Sequence, residues 1–201
     1  YLMALARQIG SLREAHVGPH LATRGDVVVV TINHRLNVFG YLHLADLAGK
    51  DYAASGNVGQ LDVMAALGWV KENIAQFGGD PNNVTIFGQS GGGRKISNLL
   101  AMPGAKGRFH KAVIQSGAQL RAMPRDLATE YTVEFLRELG LKPSQAGDVR
   151  AVPMERLIAA FNAIEQRQDL MPRRRGVYYQ QGFGPVIDGS MSRIAIAPGG
   201  A

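Results

Sequence analysis

The sequence predicts an α/β fold with a mostly parallel sheet and flanking helices, and three observations carry that expectation. Short apolar runs alternate with helix-length segments between residues 27 and 115. A glycine-rich turn around Ser90 joins one of these runs directly to the helix after it. Past Ser116 the chain switches to amphipathic helices with no strand between them. At 201 residues and 46% hydrophobic, it is long enough to bury a sizeable core in one globular domain.

Residues 27–32, VVVVTI, form an unbroken β-branched run, as expected of a strand covered on both faces. The segment 59–77 reads as a helix, with Leu61, Met64, Ala65, Trp69 and Ile74 near helical spacing. Gly78-Gly79-Asp80-Pro81 stops it, glycine at the C-cap and proline beyond. Residues 84–87 are a second apolar strand and 92–102 a helix, ended by Met102-Pro103-Gly104. Residues 112–115, within KAVIQSG, are a third strand. The order β-α-β-α-β implies parallel strands with right-handed crossovers. Helices follow at 127–140 (Leu127, Tyr131, Phe135, Leu136, Leu139) and 153–166 (Leu157, Ile158, Phe161, Ile164), covering the sheet or building a cap. Arginine-rich 166–176 reads as an exposed loop, and 177–188 as a final extended piece. The expected organisation is a single domain in four parts: a front segment 1–21, a core 22–118, a helical cap-like region 119–176, and an extended tail 177–201.

The net charge is +6, but apart from Arg173, Arg174 and Arg175 the basic residues are scattered, without interleaved aromatic side chains. A nucleic-acid surface would concentrate them into a stripe with stacking residues, so no nucleic-acid partner is expected. The absence of cysteine excludes disulfides, thiolate catalysis and Cys-ligated zinc, and leaves the compartment, cytoplasmic or secreted, open. No apolar run approaches the roughly 18 residues of a membrane span. The chain starts at Tyr1 rather than Met, which suggests a fragment.

Gly88-Gln89-Ser90-Gly91-Gly92 matches G-x-S-x-G. The spacing matters because a serine lifted on a sharp strand-to-helix turn forces the residues two before and two after it together, and only small ones fit. The turn presents the hydroxyl at the carboxyl edge of the sheet, where ligands bind in open α/β folds. The Gly91 N–H and the start of the following helix then favour the negative charge of a tetrahedral intermediate. The competing reading is a glycine-rich turn that cradles a phosphate. That reading prefers G-x-x-x-x-G-K-[ST] or G-x-G-x-x-G, and neither occurs here.

The runs GDVVVVTINHRLNVFGYL (25–42), SGNVGQLDVMAALGWVKENIAQFGGDPNNVTIFGQSGGG (55–93) and KGRFHKAVIQSGA (106–118), with FGPVIDG (183–189), resemble the type-B carboxylesterase family. That family includes para-nitrobenzyl esterases, cholinesterases and many lipases. The resemblance implies an α/β-hydrolase fold, incomplete here at both ends. It also implies Ser90 as the acyl-forming nucleophile, Gly91 as one oxyanion-hole donor, a small carboxylic ester as substrate, and no cofactor. Non-catalytic binding relatives in the same family, or a lipase or thioesterase activity, are the alternatives.

Departures from the family pattern limit what this chain is expected to do alone. On this fold the triad runs serine, acid, histidine, so the base must follow Ser90. The one histidine after it, His110, precedes a strand and belongs to the opposite edge of the sheet. His34 follows the first strand but lies before the serine, where the family has a structural position; His16, His20 and His43 have no supporting context. Asp188 reads as a turn residue, and Glu130, Glu134 and Glu138 as a solvated helix face. The acid and histidine are therefore expected outside this chain, as is the His-Gly-Gly-Gly type loop that supplies the other oxyanion donors, since residues 1–20 do not resemble the family. Gln89 stands where the family most often has glutamate, and Ala118 where many members have serine. With a triad partner and an oxyanion donor missing, the chain by itself is expected to be nearly inactive.

Overall fold

The β-branched run at 27–32 enters a four-stranded parallel sheet. The computed structural model describes residues 2–5, 17–118, 121–167 and 182–189. Strands β1 (Leu2–Leu5), β2 (Val29–Thr31), β3 (Thr85–Gln89) and β4 (Lys111–Gln115) lie in the order β2-β1-β3-β4, every pair parallel. Helix α1 (Val17–Gly25) precedes β2. Two short helices, α2 (Asn37–Tyr41) and α3 (Ala45–Ala48), lead to the long α4 (Val58–Asn73). Helix α5 (Gly91–Ala101) crosses from β3 to β4.

The stop signals act where the sequence places them. After α4 a 3-10 turn over Ile74–Phe77 ends at Gly78, whose φ of 79° is the left-handed conformation that glycine adopts without strain. Helix α5 ends at Ala101, and Pro103 opens a separate 3-10 turn. Val63, Leu67, Val70 and Ile74 pack with Ile96 and Leu99 against Val84 and Ile86, forming the core that supports the sheet. Each such side chain contributes about 1.5–3 kcal/mol by leaving water.

A second core lies under α6 (Arg125–Glu138) and α7 (Met154–Glu165). Leu127, Tyr131, Phe135, Leu136 and Leu139 are all buried, as their spacing implies. They meet Tyr41 and Leu42 from the sheet side, and Phe183, whose ring stands edge-on to Phe135 at 5.5 Å. Phe183 comes from the last described segment, which pairs β6 (Val186–Ile187) in parallel with β5 (Met123–Pro124). Asn57 fastens that strand by accepting the Val186 N–H at 3.0 Å and donating to the Val186 carbonyl and the Asp188 carboxylate, both at 2.9 Å.

Three features differ from the expectation. The strand Leu2–Leu5 sits in mid-sheet although LMAL carries no β-branched signal; pairing on both sides, not propensity, makes it a strand. On α4 the buried stripe is Gln60, Val63, Leu67 and Val70, while Trp69 is 46% exposed and stacks obliquely on the exposed Phe77. Strand β2, within the run expected to be covered on both faces, is only partly buried, and its Thr31 is exposed. The polar stretch 168–176, and residues 177–181 of the extended tail, lie outside the described residues.

Candidate active site

Strand β3 ends at Gln89 and α5 begins at Gly91, leaving Ser90 alone at the junction. Its backbone has φ 53° and ψ −115°, far from the extended conformation of an ordinary helix cap, and its hydroxyl makes no capping bond. Such a conformation costs about 1–3 kcal/mol in a residue with a Cβ and persists only when its surroundings dictate it. They do so here through two hydrogen bonds: the Ser90 N–H donates to the Gln115 carbonyl at 2.8 Å, and the Ser90 carbonyl accepts from the Arg94 N–H at 3.1 Å.

The glycines fit because nothing else can. A Cβ on Gly88 would lie 2.6 Å from the Gly92 carbonyl carbon, which is the crowding that the motif spacing implies. A Cβ on Gly117 would lie 2.0 Å from the Ser90 carbonyl oxygen. Gly117 was not legible as part of the turn; it follows β4, 27 positions from Ser90 in sequence, and Ser116 before it also has a positive φ of 49°. The KAVIQSG string carried a signal in its glycine, but no local rule ties that glycine to Ser90.

Chain order places this junction. From β1 the connection runs to β2 on one side, and from β3 to β4 on the other, so the crevice between the carboxyl ends of β1 and β3 is the topological switch point. Ser90 sits at the carboxyl end of β3, half-buried, and Gly91 supplies the first N–H of α5, which has no acceptor within its own helix.

Buried polar side chains lie beneath the turn. Lys95, one helical turn into α5, donates to the Gly91 carbonyl at 3.4 Å and stands 5.9 Å from the Tyr41 ring centroid. Gln60 donates to the Lys95 carbonyl at 3.0 Å. His34 is buried, and neither of its ring nitrogens has a hydrogen-bond partner. Burial first, and the Lys95 charge second, lower its pKa to about 4 against the opposing pull of Asp62. Burial, with the Asp62 charge, raises the Tyr41 phenol far above its usual range. Asp62 itself accepts from the Arg35 guanidinium at 2.6 and 2.9 Å and from the Arg35 N–H at 2.8 Å; these bonds hold its carboxyl below the usual carboxylate range.

The other candidates lie away from Ser90. His110 accepts the Val84 N–H at 3.0 Å, at the start of β3 and so at the opposite end of that strand. Asp188 is held by Asn57. Glu134 pairs with Arg137 and Arg167, and Glu130 and Glu138 are exposed. His20 is exposed, and His16 lies outside the described residues. His43 does have a context: its Nε2 meets the Asp46 carboxylate at 3.2 Å, which also binds Arg125 and Thr129 and ties α3 to α6. The spacing of three between His43 and Asp46 was the available clue. Gln89 is exposed at the end of β3.

The sequence pattern of the carboxylesterase family matches residues 6–198. The chain belongs to that family. The match begins inside the front segment that the residues alone left unassigned. Among characterised carboxylesterase-family proteins, the para-nitrobenzyl esterase of Bacillus subtilis (strain 168) is 42% identical over 186 residues, 92% of this chain and 36% of that protein. Mouse neuroligin-3 is 38% identical over 175 residues, 87% of this chain and 20% of its own length. Among solved structures, the Geobacillus stearothermophilus carboxylesterase EST55 superposes with a TM-score of 0.78 at 38% identity, covering 97% of this chain and 39% of that one. The sheet and helices described above are thus part of an α/β-hydrolase fold, and the chain spans little more than a third of these esterases.

Proposed function

We propose that the protein is a serine hydrolase of carboxylic esters with Ser90 as its nucleophile. The observation that carries this reading is the Ser90 backbone, strained at φ 53° on the strand-to-helix junction, with its hydroxyl uncommitted to a cap. In the proposed reaction the Ser90 Oγ attacks the ester carbonyl carbon and its proton passes to a general base. The carbonyl electron pair moves onto oxygen, beside the Gly91 N–H. Collapse of that intermediate breaks the bond to the alkoxy group, which leaves as alcohol, and water then hydrolyses the acyl-serine. The acid and histidine that complete the triad lie outside these 201 residues in this reading, as does part of the oxyanion hole. The 201-residue chain alone is therefore nearly inactive, and no cofactor takes part.

Intact-mass analysis after treatment with an aryl fluorophosphonate tests the proposal in the full-length protein that carries this segment. One adduct on Ser90, with loss of both adduct and short-chain aryl ester turnover in Ser90→Ala, is expected. Turnover retained in Ser90→Ala removes the serine from the mechanism. A second reading, a non-catalytic binding protein, draws on the similarity to neuroligin-3; absence of any adduct under conditions that label a known serine esterase favours it.

A further inference from the structure

Asp188-Gly189 is the one Asp-Gly pair in the sequence, and no Asn-Gly pair occurs. An aspartate followed by glycine is chemically exposed, because no Cβ shields the next peptide nitrogen from the side-chain carboxyl. Here the pair directly follows β6, and its two members differ in their surroundings. Gly189 is exposed, in the left-handed conformation at φ 79°, with open space where a Cβ would stand. Asp188 is half-buried, and its carboxylate accepts a hydrogen bond from Asn57 Nδ2 at 2.9 Å. Asn57 is itself buried, and its amide is fixed twice more, by the Val186 N–H at 3.0 Å and the Val186 carbonyl at 2.9 Å. Arg125, on α6, is close enough for its charge and that of Asp188 to attract.

We infer that Asp188 is a site of spontaneous backbone modification, closing to a succinimide with Gly189, and that Asn57 is the residue that holds this reaction in check. In that step the Gly189 nitrogen attacks the carbon of the protonated Asp188 carboxyl; a C–N bond forms and a C–O bond breaks. The departing hydroxyl takes the Gly189 amide proton and leaves as water. Water then adds to either carbonyl of the cyclic imide and reopens it to aspartate or to isoaspartate. Isoaspartate routes the main chain through the side-chain methylene, lengthening it immediately after the strand that follows Phe183 into the second core. Attack requires the carboxyl to leave Asn57, lose its charge and swing over the following peptide. Each of these breaks the Asn57 bond, and hydrogen bonds to charged acceptors are among the stronger ones in proteins.

The test ages the full-length protein that carries this segment for weeks in mildly acidic buffer at physiological temperature. Peptides containing residue 188 are then fragmented by electron transfer, which distinguishes isoaspartate from aspartate. The samples are the native wild type, the guanidinium-unfolded wild type, Asn57→Ala and Asn57→Asp. The last keeps an acceptor for the Val186 N–H but repels Asp188, and circular dichroism establishes which variants are folded. The expected result is isoaspartate at residue 188, forming about tenfold or more faster in the unfolded chain and in the folded variants than in the native wild type. Folded variants that age no faster than the wild type overturn the role of Asn57. Where neither variant folds, the two wild-type samples decide: equal rates overturn the inference and a slower native rate supports it. An unfolded chain without isoaspartate removes Asp188 as a site.

Discussion

Ser90 and His34 are each held in a state that their surroundings dictate. For Ser90 the state is a backbone conformation, secured by hydrogen bonds to Gln115 and Arg94. For His34 it is neutrality, since its ring is buried without a hydrogen-bond partner and its pKa falls to about 4 from 6.5. The sign of the pH dependence follows. Above pH 6.5 the ring is neutral whether the chain is folded or not, and its effect on stability is constant. As pH falls from 6.5 to about 4, the unfolded ring takes up a proton that the folded ring refuses, and stability drops. Over that window His34 is expected to remove up to about 3 kcal/mol from the unfolding free energy. Urea titrations of the wild type and His34→Gln at fixed pH should show the two curves diverging as pH rises from 4 to 6.5 and running parallel above it. Parallel curves throughout would mean that the folded ring titrates normally.

At the scale of elements, the junction of β3, α5 and β4 works as a unit. Gly88 lets β3 approach the first turn of α5, and Gly117 lets the chain leaving β4 pass under the Ser90 carbonyl. Gly117→Ala places a methyl where a carbonyl oxygen already lies, so β4 and the turn must separate. The expected cost is about 1–3 kcal/mol of stability, read by urea unfolding, together with loss of fluorophosphonate labelling at Ser90. Stability loss with labelling intact would show that the Ser90 turn tolerates movement of β4. The clamp between α3 and α6 belongs to this scale too. Arg125 first, then Thr129 and His43, hold the Asp46 carboxyl below its usual range, so the clamp weakens only as pH falls below about 4.

For the whole molecule, the exposed surface is informative. Strand β4 has one edge paired with β3 and, among the described residues, no neighbour on the other; Val113 is 44% exposed. An open parallel edge beside apolar side chains is a template for self-association. The isolated 201-residue chain is therefore expected to sediment as oligomers at micromolar concentration, and Val113→Lys to shift it toward monomer. A monodisperse monomer with a sharp cooperative melt would contradict this.

The helices and their ends were legible because they rest on local rules. Apolar spacing marks α6 and its five buried side chains, Gly78 and Pro103 mark the stops, and a serine between small residues marks the sharp turn. The buried face of α4 is not legible in the sequence, because Trp69 is apolar enough to suggest the core, yet the packed face runs through Val63 and Leu67. Leu2–Leu5 was missed because a strand made by partners on both sides needs no propensity of its own. The same holds for Gly117, Lys95 and His34. Each matters through a neighbour many residues away, and a one-dimensional pattern holds no distance between them. Periodicity and turn chemistry act within a few residues and can be read directly from the chain. Crowding, desolvation and charge act through space, and only the packed fold brings those groups together.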